Sequence, residues 1–352
     1  MLTPRENYFR NVRFQKPDRI PLDVGISDGS WDEYRQDMES VCMKFPELFP
    51  HVKPGWRDYD NYSFYPGNRK DEPFTDSWGN IWLSTVNGIE GVVTNTVIDD
   101  WEKLSSYHVP DANVQFDRGP ANWDVIESNI KKARQNGEVT TGYIPHGFLF
   151  MRIFYLRGFE NAMMDFVEGD PHLQVLINML VDHNSTYIQR YIQMGADIIE
   201  LGDDLGTQKS TIISPAMLRE YIFPAYAELL RPCKDAGVLV MFHSDGRTLD
   251  ILEDQVRAGA DIVNPQDLCN GIDNLAKTIK GKTCIRLDID RQTVIPYGSA
   301  KDIDDLIHEE VEKLGSVSGG LELSCGIYPP TPPSNVEALC KSLLRYQRYW
   351  WE

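Results

Sequence analysis

Acid, imidazole and thiol side chains fall again and again on the residues that directly follow short apolar runs of this chain. Glu200, Asp203 and Asp204 end one run, His243 and Asp245 the next; Asp267, the pair Asp288 and Asp290, and finally Cys325 follow. Tyr143 and His146 close an earlier run. One thiol, two imidazoles and a group of carboxylates form a donor set that can hold a divalent cation. Thiolate and imidazole suit a borderline-soft ion, so zinc is the expectation, whereas magnesium would prefer oxygen alone. Each residue also has a plainer use. A strand-end Asp is most often a helix cap or a turn residue, and that is the reading for Asp204, Asp288 and Asp290. A lone Cys325 would be a small core residue, and a lone His243 a satisfied histidine. Context favours chemistry for these two. His243 ends VLVMF and precedes Ser244-Asp245-Gly246, where the chain must turn sharply; Cys325 ends GGLELS and precedes the rigid, proline-rich GIYPPTPPSNV.

For such residues to meet, the runs that carry them must be parallel neighbours. From about residue 138 onward, apolar runs alternate with amphipathic stretches, the pattern of repeated β-α units. Strands are expected at 138–145, 196–202, 237–243, 261–265, 283–289 and 319–325, with an earlier one at 19–25. Asp170-Pro171 opens a helix to Met194 and Ser214-Pro215 one to Ala236; in both a capping oxygen precedes proline, and Gly195 or Gly237 closes the end. Seven strands plus one not placed fit a (β/α)8 TIM barrel, an α/β fold whose chemistry gathers at the C-terminal ends of the strands. An open doubly wound sheet is the alternative, but no GxGxxG follows any strand. Residues 28–125, rich in Trp, Tyr, Asp, Gly and Pro, break the pattern and read as a long insertion after the first strand, folding over the mouth. The whole of 1–352 is expected to be one domain. The aromatics Trp56, Tyr59, Tyr62, Phe64 and Tyr65 of the insertion are core or the lining of an aryl pocket.

Composition narrows the partners. The chain has 352 residues, 35 basic against 53 acidic, a net charge of −18. Nucleic acid and anionic membrane are therefore excluded as expected partners. No apolar stretch approaches the ~18 residues of a membrane span, and the first residues lack a signal peptide's apolar core, so a cytoplasmic protein is expected. The six cysteines form no CxxC pair, which argues against a disulfide framework.

FHSDG at one strand end and CGIYPPTPPSNV at the last resemble the uroporphyrinogen decarboxylase superfamily, as do GADIIELGDDLGTQKSTIISPAMLREYIFPAY and the N-terminal TPRENYFRNVRFQKPDRIPLDVG. The resemblance spans nearly the whole chain and implies a (β/α)8 barrel with its pocket at the C-terminal mouth. The superfamily holds decarboxylases and also zinc-dependent methyltransferases that exchange methyl groups with corrinoid proteins. Decarboxylases carry an arginine-containing MRQAGR motif after the first strand; here that region reads DVGISDGSWDEYRQ, with Asp28 and no clustered arginines. They also have histidine where this chain has Cys325. A polyanionic tetrapyrrole set against Glu200, Asp203, Asp245 and Asp267 would meet like charges.

The methyltransferase branch is similar through an H-x-C pair and a distant cysteine that hold zinc. Here His243 and Cys325 match the first and last ligands, while Asp245 stands for the middle cysteine. Fewer thiolates leave zinc a stronger Lewis acid, which favours demethylating a methoxylated or similar substrate over methylating a thiol. The expected metal ligands are His243, Cys325 and one or both of Asp245 and Glu200, with a position open to substrate or water. Asp203, Glu200 and Tyr143 are the expected catalytic groups; Gln208, His146 and Asp267 would contact substrate. The corrinoid is expected on a separate partner protein, since the chain has no D-x-H-x-x-G segment. A homodimer is a family-level expectation. Decarboxylation is the runner-up, and a non-catalytic small-ligand binder the third reading.

Overall fold

The computed structural model describes residues 2–352. Seven strands form one parallel sheet: β1 (Leu22–Ile26), β2 (Thr141–Tyr143), β3 (Ile198–Gly202), β4 (Leu239–Ser244), β5 (Ile262–Pro265), β6 (Cys284–Asp288) and β7 (Leu321–Ile327). All seven lie at the apolar runs. Their order, β1-β7-β6-β5-β4-β3-β2, follows the sequence around a curl, with helices in every connection from β2 onward: a TIM-barrel-like α/β fold. The eighth strand does not form among the described residues, so β1 and β2 are the sheet's two ends.

Alternation along each strand divides the interior. Ile199, Leu201, Val240, Phe242, Val263, Ile285 and Leu287 lie in the main core beneath the helices. Their neighbours Ile198, Leu239, Met241, Ile262 and Cys284 form a second, smaller core inside the barrel, closed from below by Val12, Tyr8 and Phe9. Those three belong to the helix Pro4–Val12, capped by the reciprocal Thr3 and Glu6 pair. Nine residues are too few for an independently stable helix, so burial against the barrel floor holds it.

The helix Pro171–Met194 starts at Asp170, whose side chain accepts from the His172 N–H, and ends at Gly195 in the left-handed conformation. The stretch expected as one helix from Pro215 widens to a π-turn at Leu218–Ile222 before Phe223–Ala236. Pro224 is the reason: it lacks an N–H and its ring clashes with the carbonyl four residues back.

The region at 28–125 opens with a helix, Asp28–Cys42, packed against the final helix Pro333–Tyr346 as part of the barrel's outer coat. The rest is loop with strands of two or three residues, a 3-10 helix at Trp101–Ser106 and the first residues of the helix Trp123–Gln135. Asp28 follows β1 directly and binds Arg57 at 2.6 Å and the Tyr62 hydroxyl at 3.0 Å. Arg152 likewise ties Asp76, Asn80 and Asp117. The aromatics mostly fasten this region: Trp56 packs edge-on to Trp31, Arg57 stacks on Tyr62 at 4.0 Å, and Tyr59 is buried on Glu39. No helix among the described residues is long and apolar enough to cross a membrane.

Candidate functional site

The same alternation decides which strand-end side chains can meet. With Ile199 and Leu201 outward, Glu200 and Gly202 face the barrel interior, and the adjacent acids split likewise, Asp203 outward and Asp204 inward. His243 and Asp245 at the end of β4, and Arg286 and Asp288 on β6, face inward as well.

At the mouth these side chains converge. The His243 Nδ1 lies 2.8 Å from the Asn264 Oδ1, and the amide of Asn264 is itself oriented by donating from Nδ2 to the Arg286 carbonyl at 2.5 Å. An amide oxygen only accepts, so Nδ1 carries the hydrogen. The opposite ring nitrogen, Nε2, points at the Asp245 Oδ1, 3.2 Å away, and the Asp204 Oδ1, 3.8 Å away. The His146 Nε2 stands 3.4 Å from the same Asp204 oxygen. Gly202 makes room for both rings: a Cβ there would lie 2.5 Å from His146 and 3.3 Å from His243. Potential ligand atoms of His146, Asp204 and His243 lie within 4.8 Å of one another, as do those of His243, Asp245 and Asp288.

A neutral Nε2 facing carboxylates is an arrangement of acceptors alone and requires a proton or a cation. Burial works against charging His243, but the hydrogen bond and charge of Asp245 outweigh it and push the imidazole up to about 9. Burial is likewise overcome at Asp245, which His243 and Arg291 hold down at about 2. The Arg291 Nη2 bonds the Asp245 Oδ1 at 2.5 Å, and its Nη1 is 3.4 Å from the Asp288 Oδ2. That Asp288 oxygen is buried with no hydrogen-bond partner. Two imidazoles, three carboxylates, one orphaned oxygen and an amide that fixes the central ring fit a divalent ion such as zinc. The set is nitrogen and oxygen only.

The expected sulfur lies elsewhere. Cys325 sits on β7 with Leu321, Leu323 and Ile327 in the core beneath the helices, 1% exposed, and its register partner on β1 is Val24 of the same core. Burial, then the charges of Asp288 and Asp267, raise its thiol well above the ordinary value. Glu200 faces inward but one layer deeper, opposite Met241 rather than His243. There Arg286 gathers Glu200 at 3.0 Å, Asp23 and Glu322. Burial, opposed by Arg286, raises Glu322 to about 7.

Asp203, expected as an acid, is fully buried outside the barrel. It accepts from the N–H groups of Phe150 and Met151 at 2.5 and 2.8 Å, at the start of the helix Phe150–Arg157, and from the Tyr226 hydroxyl at 2.8 Å. Burial raises it to about 6, yet every contact is structural. Asp267 accepts from the Leu268 and Asp290 N–H groups and shapes a turn. Tyr143 lies on β2 beside Glu200, 61% exposed. Gln208 and Asp267 do come together, in the wall of a cavity of about 300 Å³ that also includes Asp288 and Arg291. His146 and Asp245 lie in the mouth as expected. Asp204, Asp288, Asn264 and Arg291 are the residues that reading strand ends one at a time passes over.

Fold and site together define a TIM-barrel-like protein with a cation-competent cluster at the C-terminal mouth. The family model described as uroporphyrinogen decarboxylase (URO-D) matches residues 83–346, and the chain belongs to that family. Among curated proteins, a uroporphyrinogen decarboxylase of Nostoc punctiforme is 27% identical over 177 residues, 48% of this chain; the match spans 46%, about half, of that relative's length. Among solved structures, a methyltransferase from Methanosarcina mazei has a TM-score of 0.66 over 98% of this chain and 99% of that one, at 16% identity, a likeness of fold.

Proposed function

We propose that this chain moves a methyl group between a small methylated compound and a corrinoid protein, with zinc held at the mouth by His243, Asp245 and Asp288 and flanked by His146 and Asp204. The observation that carries the reading is the Nε2 of His243, fixed by Asn264 so that it faces carboxylate oxygens. Family membership and the likeness to a methyltransferase agree with it. The ion, when bound, would act as a Lewis acid on the heteroatom that gives up the methyl group. The chain's own residues do the rest. Asn264 holds His243 in one tautomer, Arg291 keeps Asp245 ionised until the ion takes that carboxylate, and His146, 43% exposed beside Asp204, can give a proton to the leaving oxygen. With no thiol in the donor set, demethylation is favoured over thiol methylation.

Elemental analysis of the purified protein, followed by incubation with a reduced corrinoid protein and methoxylated aromatics, betaines or methylamines, tests this. Stoichiometric metal and a visible-spectrum change from corrinoid alkylation are expected. Metal-free protein that releases CO2 from a porphyrinogen would overturn it in favour of decarboxylation. The family name and the curated relative favour that second reading. Against it stand the three carboxylates of the mouth, which would repel a polycarboxylate.

A further inference from the structure

The cavity beside the metal-competent cluster has its own chemistry. It lies between the ends of β5 and β6, has a volume of about 300 Å³, and shares Asp288 and Arg291 with the mouth. That volume is at the small end of ligand sites. Besides Asp288, its acids are Asp267 and Asp290, and both are used by backbone. Asp267 accepts from the Leu268 and Asp290 N–H groups, and Asp290 from the N–H groups of Thr293 and Val294. What the wall offers a ligand is therefore the guanidinium of Arg291 and the amides of Gln208 and Gln292, beside the apolar Leu268.

Arg291 is at present balanced by Asp245 at 2.5 Å and Asp288 at 3.4 Å, with the half-exposed ring of Tyr328 5.3 Å from its centre. Gly326 admits that ring, since a Cβ there would lie 2.8 Å from it. These two carboxylates are the same ones that a divalent ion would use. Once they serve the ion, the guanidinium is left in a partly buried cavity without its counter-charge, and burying such a charge alone is costly.

We propose that Arg291 is a specificity-determining residue that binds a carboxylate on the methyl-bearing substrate, so that the substrates are methylated acids rather than neutral methyl ethers or amines. The planar guanidinium matches a carboxylate in two-point geometry, and Gln208 and Gln292 can supply further N–H donors. Leu268 and Tyr328 provide the apolar side for the body of the molecule. This inference rests on the proposed function, because it takes the ion to claim Asp245 and Asp288.

Calorimetric binding to the zinc-loaded protein tests it without turnover. The probes are 3-methoxybenzoate against 3-methoxybenzamide, and glycine betaine against its amide. A charged hydrogen-bonded pair predicts that the acids bind about ten- to a hundredfold more tightly than their amides. Arg291→Gln should erase the preference and Arg291→Lys should restore part of it, the acid-to-amide ratio being read on variant protein whose zinc content has been measured. No acid preference in any wild-type pair overturns the inference, as does a preference that survives in Arg291→Gln. The wild-type comparison needs no variant to fold. Corrinoid alkylation tests the function separately: an acid preference without alkylation sinks the function alone, and alkylation without an acid preference sinks the role of Arg291 alone.

Discussion

Asp203 and Asp204 are adjacent in sequence and lie on opposite sides of the barrel wall. Asp203 points out, is fully buried and closes the start of a helix; Asp204 points in, is partly open and faces two imidazoles. The same division separates Cys325, outward, from Ser324 and Gly326, inward on β7. On the outward face these polar groups are enclosed by the fold; at the inward rim they face the mouth. Side, not residue type, decides.

The largest expected effect lies on the outward face. Asp203→Ala leaves two helix N–H groups and a buried Tyr226 hydroxyl without a partner, and should cost about 3–5 kcal/mol in urea unfolding. Asp204→Asn should change stability by less than about 1 kcal/mol and sharply weaken metal binding. A larger loss of stability from Asp204→Asn would break the comparison. The cysteine and the histidine give the next contrast. In a competition with a chromophoric chelator, His243→Ala should lose its metal, whereas Cys325→Ala should keep it and lose only about 1–2 kcal/mol to the small void. A folded, metal-free Cys325→Ala protein would mean that the sulfur turns inward.

The smallest effect concerns the deeper layer. Burial raises Glu322 to about 7 despite Arg286, while in the unfolded chain it titrates near its ordinary value. Its contribution to stability is therefore complete below the unfolded value and lost as pH rises through about 7. The stability of wild type relative to Glu322→Gln should fall over that window, by at most about 1.4 kcal/mol per pH unit. A difference that is flat with pH would show that Glu322 is ionised throughout.

Much of this was open to reading in the sequence. Seven apolar runs mark seven strands because parallel barrel strands are buried on both faces. The sides were legible too. In Leu-Glu-Leu-Ser-Cys-Gly-Ile the cysteine keeps step with the leucines and the isoleucine, and in Ile-Ile-Glu-Leu-Gly-Asp-Asp the second acid keeps step with Glu200. Reading the rim as a composition, without that phase, set Asp203 and Cys325 at the mouth, where the structure brings Asp204 and Asp288 beside His243. Arg291 was not legible, because it follows the strand and folds back to the mouth through a turn built by Asp267 and Asp290. Nor was Asn264, whose role exists only through a ring on the neighbouring strand.

The missing eighth strand leaves an unlaced seam. The outer edges of β1 and β2 share no ladder, and the side chains that span the gap reach past β2, with Arg286 of β6 holding Asp23 on β1 and Glu200 on β3. A wall closed at one place by a side-chain clasp instead of backbone should part there first. In hydrogen exchange the amides flanking this slit should lose protection ahead of those in β4 to β6, making it the molecule's natural line of opening.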